Sequence, residues 1–201
     1  MKDKLWTPDQ RLHLPMPVLI GFWLELGVWN GEGKLIHQHR QLSRSPTKQF
    51  LQALLSQFNI SIGAVVKDTG GTLQSMMTAY MQVTANAGET DWGLVLGTDN
   101  TPMDILDFQL VAQILEGAGA GQLLHQACNF DADVTVADPD CTFDCWRNFN
   151  NNSGASITVK ETGIYSKIGT NYFCLVRDVP AQIVVPNGGG CYVKYTPTIT
   201  E

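Results

Sequence analysis

The chain has 201 residues, 44% of them hydrophobic, enough to bury a sizeable core in one large all-β domain or two small ones. Charged residues are only 16% and the net charge is −6, which argues against a nucleic-acid binder with its basic patch or stripe. No apolar run approaches the ~18 residues of a membrane span, and Met1-Lys2-Asp3-Lys4-Leu5 lacks a signal peptide's apolar stretch. No membrane partner, no nucleic acid and no Sec export are expected.

Residues 1–17 contain Pro8, Pro15 and Pro17 with little periodicity. They read as an extended N-terminal arm that needs another surface to become ordered. Its apolar residues Leu5, Trp6, Leu12 and Leu14 are the expected anchors, with Trp6 suited to a neighbouring subunit's pocket. Residues 18–201 form a single β-rich domain in this reading. It opens with the apolar run Val18 to Trp29, one long strand or two short ones. Asn30-Gly31-Glu32-Gly33 is a hairpin turn, and Lys34 to Leu42 is the return strand. One helix is predicted over residues 46–58, with Ser45 as N-cap and Pro46 at the first helical position. Phe50, Leu51, Leu54, Leu55 and Phe58 make its apolar stripe.

Strands and turns follow. Asp68-Thr69-Gly70-Gly71 is a turn, Met76 to Val83 a strand or short helix, and Trp92 to Leu96 a strand. Leu106, Phe108, Leu110, Ala112 and Ile114 alternate with Asp107, Gln109 and Gln113, a period-2 pattern that also tolerates a helix. Ser156 to Glu161, Tyr172 to Asp178, Ile183 to Val185 and Cys191 to Tyr195 are strands separated by Asn- and Gly-rich turns. This spacing predicts a mainly β fold, an antiparallel sandwich or barrel of immunoglobulin-like or jelly-roll-like kind.

Charge is uneven along the chain. Residues 1–100 carry eight basic and eight acidic side chains, and residues 101–201 carry five and eleven. One end can therefore attract the other end of a neighbouring copy at low salt. All five cysteines fall after residue 127: Cys128, Cys141, Cys145, Cys174 and Cys191. An odd count without an export signal suits reduced thiols. On a strand Cys141, Phe143, Cys145 and Phe149 share one face, so core packing is favoured over zinc.

Chemistry-bearing motifs are sparse. There is no Gly-x-Ser-x-Gly elbow, and His125 beside Cys128 lacks a third group to complete a dyad. Asp131, Asp133, Asp138, Asp140 and Asp144 are dense enough for calcium, but no EF-hand glycine or closing glutamate accompanies them. A solvated acidic loop is the plainer reading. Gly117-Ala118-Gly119-Ala120-Gly121 lacks the Lys-Ser/Thr of a phosphate loop. His37 and His39 point to the same side of a strand; a trimer can gather three such pairs into an octahedral six-nitrogen site, while a polar sheet face is the simpler alternative. Trp23, Trp29, Trp92 and Trp146 lie in or beside apolar runs, so they are read as core. No catalytic residue, cofactor or metal is assigned, and the chain is not expected to be an enzyme.

Several stretches, taken in order, carry a resemblance. These are Gly33 to Arg40 with the helix after Ser45, Trp92 to Thr98, Asp107 to Leu110 with Ile114 and Gly117, Ile157 to Tyr165, Leu175 to Val179, and Tyr195 to Ile199. Together they resemble a family of tailed-bacteriophage virion proteins. Glu161, Arg177 and Asp178 are charges in otherwise apolar or Thr-rich strands, read as a structural ion pair or turn contact. The resemblance implies a non-enzymatic assembly role as a capsid decoration or minor capsid protein, or a neck or tail component. Its partners are then copies of itself and other virion proteins, major capsid or tail proteins among them. It would be made in the host bacterial cytoplasm and located in the virion. The competing reading is a receptor- or glycan-binding module of a tail fibre or cell surface, which calls for exposed Trp or Tyr on loops.

Overall fold

The computed structural model describes residues 19–43, 45–58, 64–76 and 81–200. The predicted arm with Leu5, Trp6, Leu12 and Leu14 lies outside these residues. The first two strands, β1 (Leu19–Trp29) and β2 (Leu35–Ser43), form the predicted hairpin. Its turn closes because Asn30 Oδ1 accepts the amides of Glu32 and Lys34, and Gly33 takes φ +76°, where a side chain would be strained.

β1 pairs along its whole length with the last strand, β14 (Gly190–Thr200). On the far side of β14 the sheet continues through an interrupted hairpin. Near Gly190–Tyr195 the next strands are β9 (Cys145–Asn150) and then β6 (Leu124–Phe130). Near Thr198–Thr200 they are β8 (Asp140–Thr142) and β7 (Thr135–Ala137). The result is a seven-stranded antiparallel sheet with β2 at one edge.

A second layer covers one face of this sheet. It contains β5 (Gly93–Gly97), β11 (Glu161–Ile168) and β12 (Asn171–Asp178) in the order β12-β11-β5, with the pair β10 (Ile157–Val159) and β13 (Ile183–Val185) beside them. Leu24, Leu26, Val28, Phe149, Val193 and Tyr195 of the large sheet pack with Leu94, Leu96, Ile164, Phe173 and Leu175 of the small one. β5 is buried on both faces, and Val95 joins Trp92, Tyr165 and Cys174 in a second cluster. The fold is thus mainly β, two packed antiparallel layers without a closed barrel among the described residues, with the single helix α1 (Lys48–Phe58) and the hairpin β3 (Ala64–Lys67), β4 (Leu73–Met76).

Three sequence expectations are corrected. The helix begins at Lys48, not residue 46. Pro46 instead bridges Val176, and Thr47 gives its amide to Leu175 O and its hydroxyl to Cys174 O at 2.6 Å. Pairing with β12 therefore overrides the Ser-Pro start signal. It also sets the rotation of the helix: Gln49 and Ala53 are buried, whereas Leu51 and Leu55 are exposed.

The alternating stretch Leu106–Ile114 is not a strand. The amides of Val111 and Ala112 go to the Glu161 carboxylate at 3.1 and 2.7 Å, and the Asp104 amide goes to Asp107. Side-chain carboxylates take donors that a ladder would use. Only short bridges to β5 remain, such as Ile114 N to Leu96 O at 2.8 Å. Finally, the single strand predicted for Ser156–Glu161 is divided at Lys160, and β10 and β11 belong to different sheets.

Candidate functional site

Directly opposed residues in antiparallel strands face the same side, so the registers define the rows of the large sheet's inner face. The first three rows are apolar or internally paired and covered: Val28, Cys191 and Phe149; Leu26, Val193 and Arg147; Leu24, Tyr195 and Cys145. Two further rows continue the pattern: Phe22 with Pro197, beside Phe143, and then Ile199, Cys141 and Val136. These rows pass the end of the second layer. Ile199 is 47% and Val136 75% exposed, although their strand positions point to the core side.

Where the covered and uncovered rows meet there is an open groove of about 580 Å³. Its walls are Phe22, Phe130, Phe143, Cys145 and Pro197 from the large sheet, Ile164, Leu175 and Val176 from the small one, and Phe50 of α1 with Met81 and Val83. Phe22 and Phe50 meet edge to face, centroids 5.6 Å apart. The groove has the volume of a ligand pocket, but its walls are almost wholly apolar and lack the convergent polar groups of a small-molecule site. The chemistry it offers is burial of apolar side chains.

The buried charged residues lie elsewhere and are held by internal partners. Arg177 and Glu161 form a fully buried ion pair, Nε to Oε2 at 3.0 Å, and Arg177 also reaches Asp107 at 2.8 Å and Thr101 O at 3.0 Å. Asp178 accepts the Tyr195 hydroxyl at 3.0 Å, and burial holds its carboxyl above the ordinary value. The structural-ion-pair expectation for these residues agrees with this arrangement. The sequence gives no hint of the role of Arg147, which lies between Cys145 and Phe149 on the buried face. Its guanidinium donates to the carbonyls of Gln126, Leu94, Asn86 and Glu89 at 2.6–3.1 Å, tying the segment after Ala85 to the sheet.

His125 and Cys128 are engaged separately. His125 Nδ1 meets Glu116 and Leu123 O, and Cys128 Sγ accepts the Leu94 amide at 3.4 Å. Among the described residues, buried Nε2 of His125 has no hydrogen-bond partner. Burial, with the nearby Arg147 cation, holds the His125 pKa below its ordinary value. The unfolded chain therefore binds a proton here more readily than the folded one, so this group's contribution is present above the unfolded value of ~6.5 and lost as pH falls from there through the lower folded value. Urea midpoints are expected to drop between pH 7.5 and 5.5, and by less in His125→Gln. Equal drops in the two proteins would show that another group is responsible.

The acidic cluster does not converge. Asp131 donates its amide to Asp144 O and its carboxylate accepts the Asp144 amide, Asp144 takes Lys194 and Thr196, and Asp140 takes Thr200. His37 and His39 share the inward-facing side of edge strand β2, and His39 contacts Gln41 at 2.9 Å. Among the described residues no three His, Cys, Asp or Glu side chains gather as a metal site. The glycine run 117–121 is a turn closed by Gln122 on Gly119.

All five cysteines are free thiols. Cys145, Cys174 and Cys191 are buried, and burial pushes Cys145 up to about 12 and the other two higher still. Iodoacetamide at pH 8 is expected to modify half-buried Cys141 well before these three, which react only on unfolding. Equal rates, read by peptide mass spectrometry, would contradict the packing described.

The chain matches no protein family, no curated protein and no solved structure in the comparisons made. Among the described residues no helix is long and apolar enough to cross a membrane.

Proposed function

We propose that the protein is a non-enzymatic structural subunit of a tailed-bacteriophage virion that locks to copies of itself, and to other virion proteins, through residues 1–17. Capsid decoration or minor capsid protein, and neck or tail component, are the positions this reading allows, and the site of synthesis is the host cytoplasm. The observation that carries the assembly reading is the pair of apolar rows left open beyond the second layer. A contiguous apolar face next to an open groove is a surface suited to a protein partner. The virion assignment is supported by the sequence resemblance across residues 33–200.

Two further observations favour assembly over its competitors. A glycan-binding module calls for aromatic rings standing on loops, and among the described side chains no Trp, Tyr or Phe is exposed. An enzyme calls for polar groups free to meet a substrate. Here Arg177, Glu161 and Arg147 are consumed by internal contacts.

Imaging tests the proposal. Negative-stain images of the 201-residue chain are expected to show defined oligomers, rings or filaments, and a variant lacking residues 1–17 is expected to lose them. Identical images of the two proteins would mean that residues 1–17 do not lock subunits together.

A further inference from the structure

We infer that the open rows of the large sheet, Phe22, Pro197 and Phe143 followed by Ile199, Cys141 and Val136, are the seat of residues 12–16 from a neighbouring copy of this chain. The inference rests on the assembly reading and adds the surface, the occupant and the direction of exchange.

Three features select this occupant. The first is the placement of the chain outside the described residues. Residues 1–18 lead directly into β1, whose first described pairs, Leu19 with Thr200 and Ile20 with Ile199, lie at the outer end of these rows. At ~3.4 Å per extended residue, Met16 can lie up to ~10 Å and Leu12 up to ~24 Å from Leu19, enough to reach a copy that abuts this end of β1.

The second is pattern. Leu12, Leu14 and Met16 alternate with polar or proline positions, so an extended segment puts all three on one side. Pro15 and Pro17 bias Leu14 and Met16 toward extended backbone. That bias suits a strand-like occupant for the open rows.

The third is charge. The hairpin that carries Val136 and Cys141 also carries exposed Asp131, Asp133 and Asp138, with Asp140 at its turn. Residues 1–17 supply Lys2, Lys4 and Arg11 against Asp3 and Asp9. The uneven charge along the sequence thus becomes an acidic rim around the apolar rows and a mildly basic segment to meet it.

Cys141, a half-buried free thiol in the outer row, makes the seat testable in the whole chain. Leu12→Cys is treated with a short bis-maleimide, and products are read on denaturing gels and by peptide mass spectrometry. The expected result is linkage between chains through positions 12 and 141, lost when Cys141→Ser is added and reduced in high salt. Linkage within one chain would overturn the exchange. Oligomers by light scattering without any linkage would overturn the seat and leave the assembly reading standing. Monomers without linkage would overturn both.

Discussion

Glu161→Ala is expected to lower the unfolding free energy by about 3–5 kcal/mol, the cost of leaving a buried charge without its partner. Glu161 sits fully buried at the start of β11, where its carboxylate accepts Arg177 Nε at 3.0 Å and the amides of Val111 and Ala112. Truncation leaves two amides without acceptors and a buried guanidinium held only by Asp107 and Thr101 O. Gly97 belongs to the same arrangement, because an added Cβ would lie 2.4 Å from Glu161 Oε1 and 2.7 Å from Ala112 O. Removing both charges, Glu161→Leu with Arg177→Met, is expected to cost less than Glu161→Ala alone, since a packed apolar pair avoids the desolvation of the ions. Urea unfolding measures all three proteins. A loss below about 1 kcal/mol for Glu161→Ala, the range of an exposed pair, would contradict the burial described.

Arg147→Met is expected to cost a comparable amount, about 3–5 kcal/mol, but for a different reason. Among the described residues no carboxylate pairs with this guanidinium; its donors satisfy four backbone carbonyls from three segments of chain. A buried carbonyl deprived of its donor costs about 1–3 kcal/mol, and neighbouring water or backbone recovers part of the total. Burial already opposes the charge and holds the Arg147 pKa below its ordinary value. Because Asn86 and Glu89 are held by Nη2, the loss falls first on residues 85–90. Hydrogen exchange in Arg147→Met is therefore expected to quicken there before the sheet opens. Uniform protection across both regions would show that Arg147 does not anchor the segment.

The elements most legible in the sequence were those bounded by turns with a steric cause. Asn30 to Gly33 and the Gly-rich segment before Cys191 each needed the conformations those residues supply, so the hairpin and the closing strands followed. The buried pair was also legible, because charges in strands as apolar as those of Glu161 and Arg177 require one another. The helix start was not, since the pairing of Thr47 with β12 is a tertiary contact with no local signal. Leu106–Ile114 failed for the same reason: the carboxylate that takes its amides lies some fifty residues away.

The candidate site was legible only in part. The predicted strand Cys191 to Tyr195 stops short of Pro197, a residue rarely tolerated inside a sheet. In the structure Pro197 falls where the partner of β14 changes from β9 to β8, so its missing N–H interrupts no ladder. Continuing the alternation Cys191, Val193, Tyr195 through Pro197 and Ile199 would have exposed the extra rows. That they outrun the second layer depends on where β11 and β12 end, which no local pattern records.

Light scattering of the 201-residue chain across a range of concentration and salt tests assembly most directly. The account predicts a defined oligomer at low salt whose mass falls as salt screens the acidic rim. A monomer at every concentration and salt, and again a monomer when residues 1–17 are removed, would contradict it.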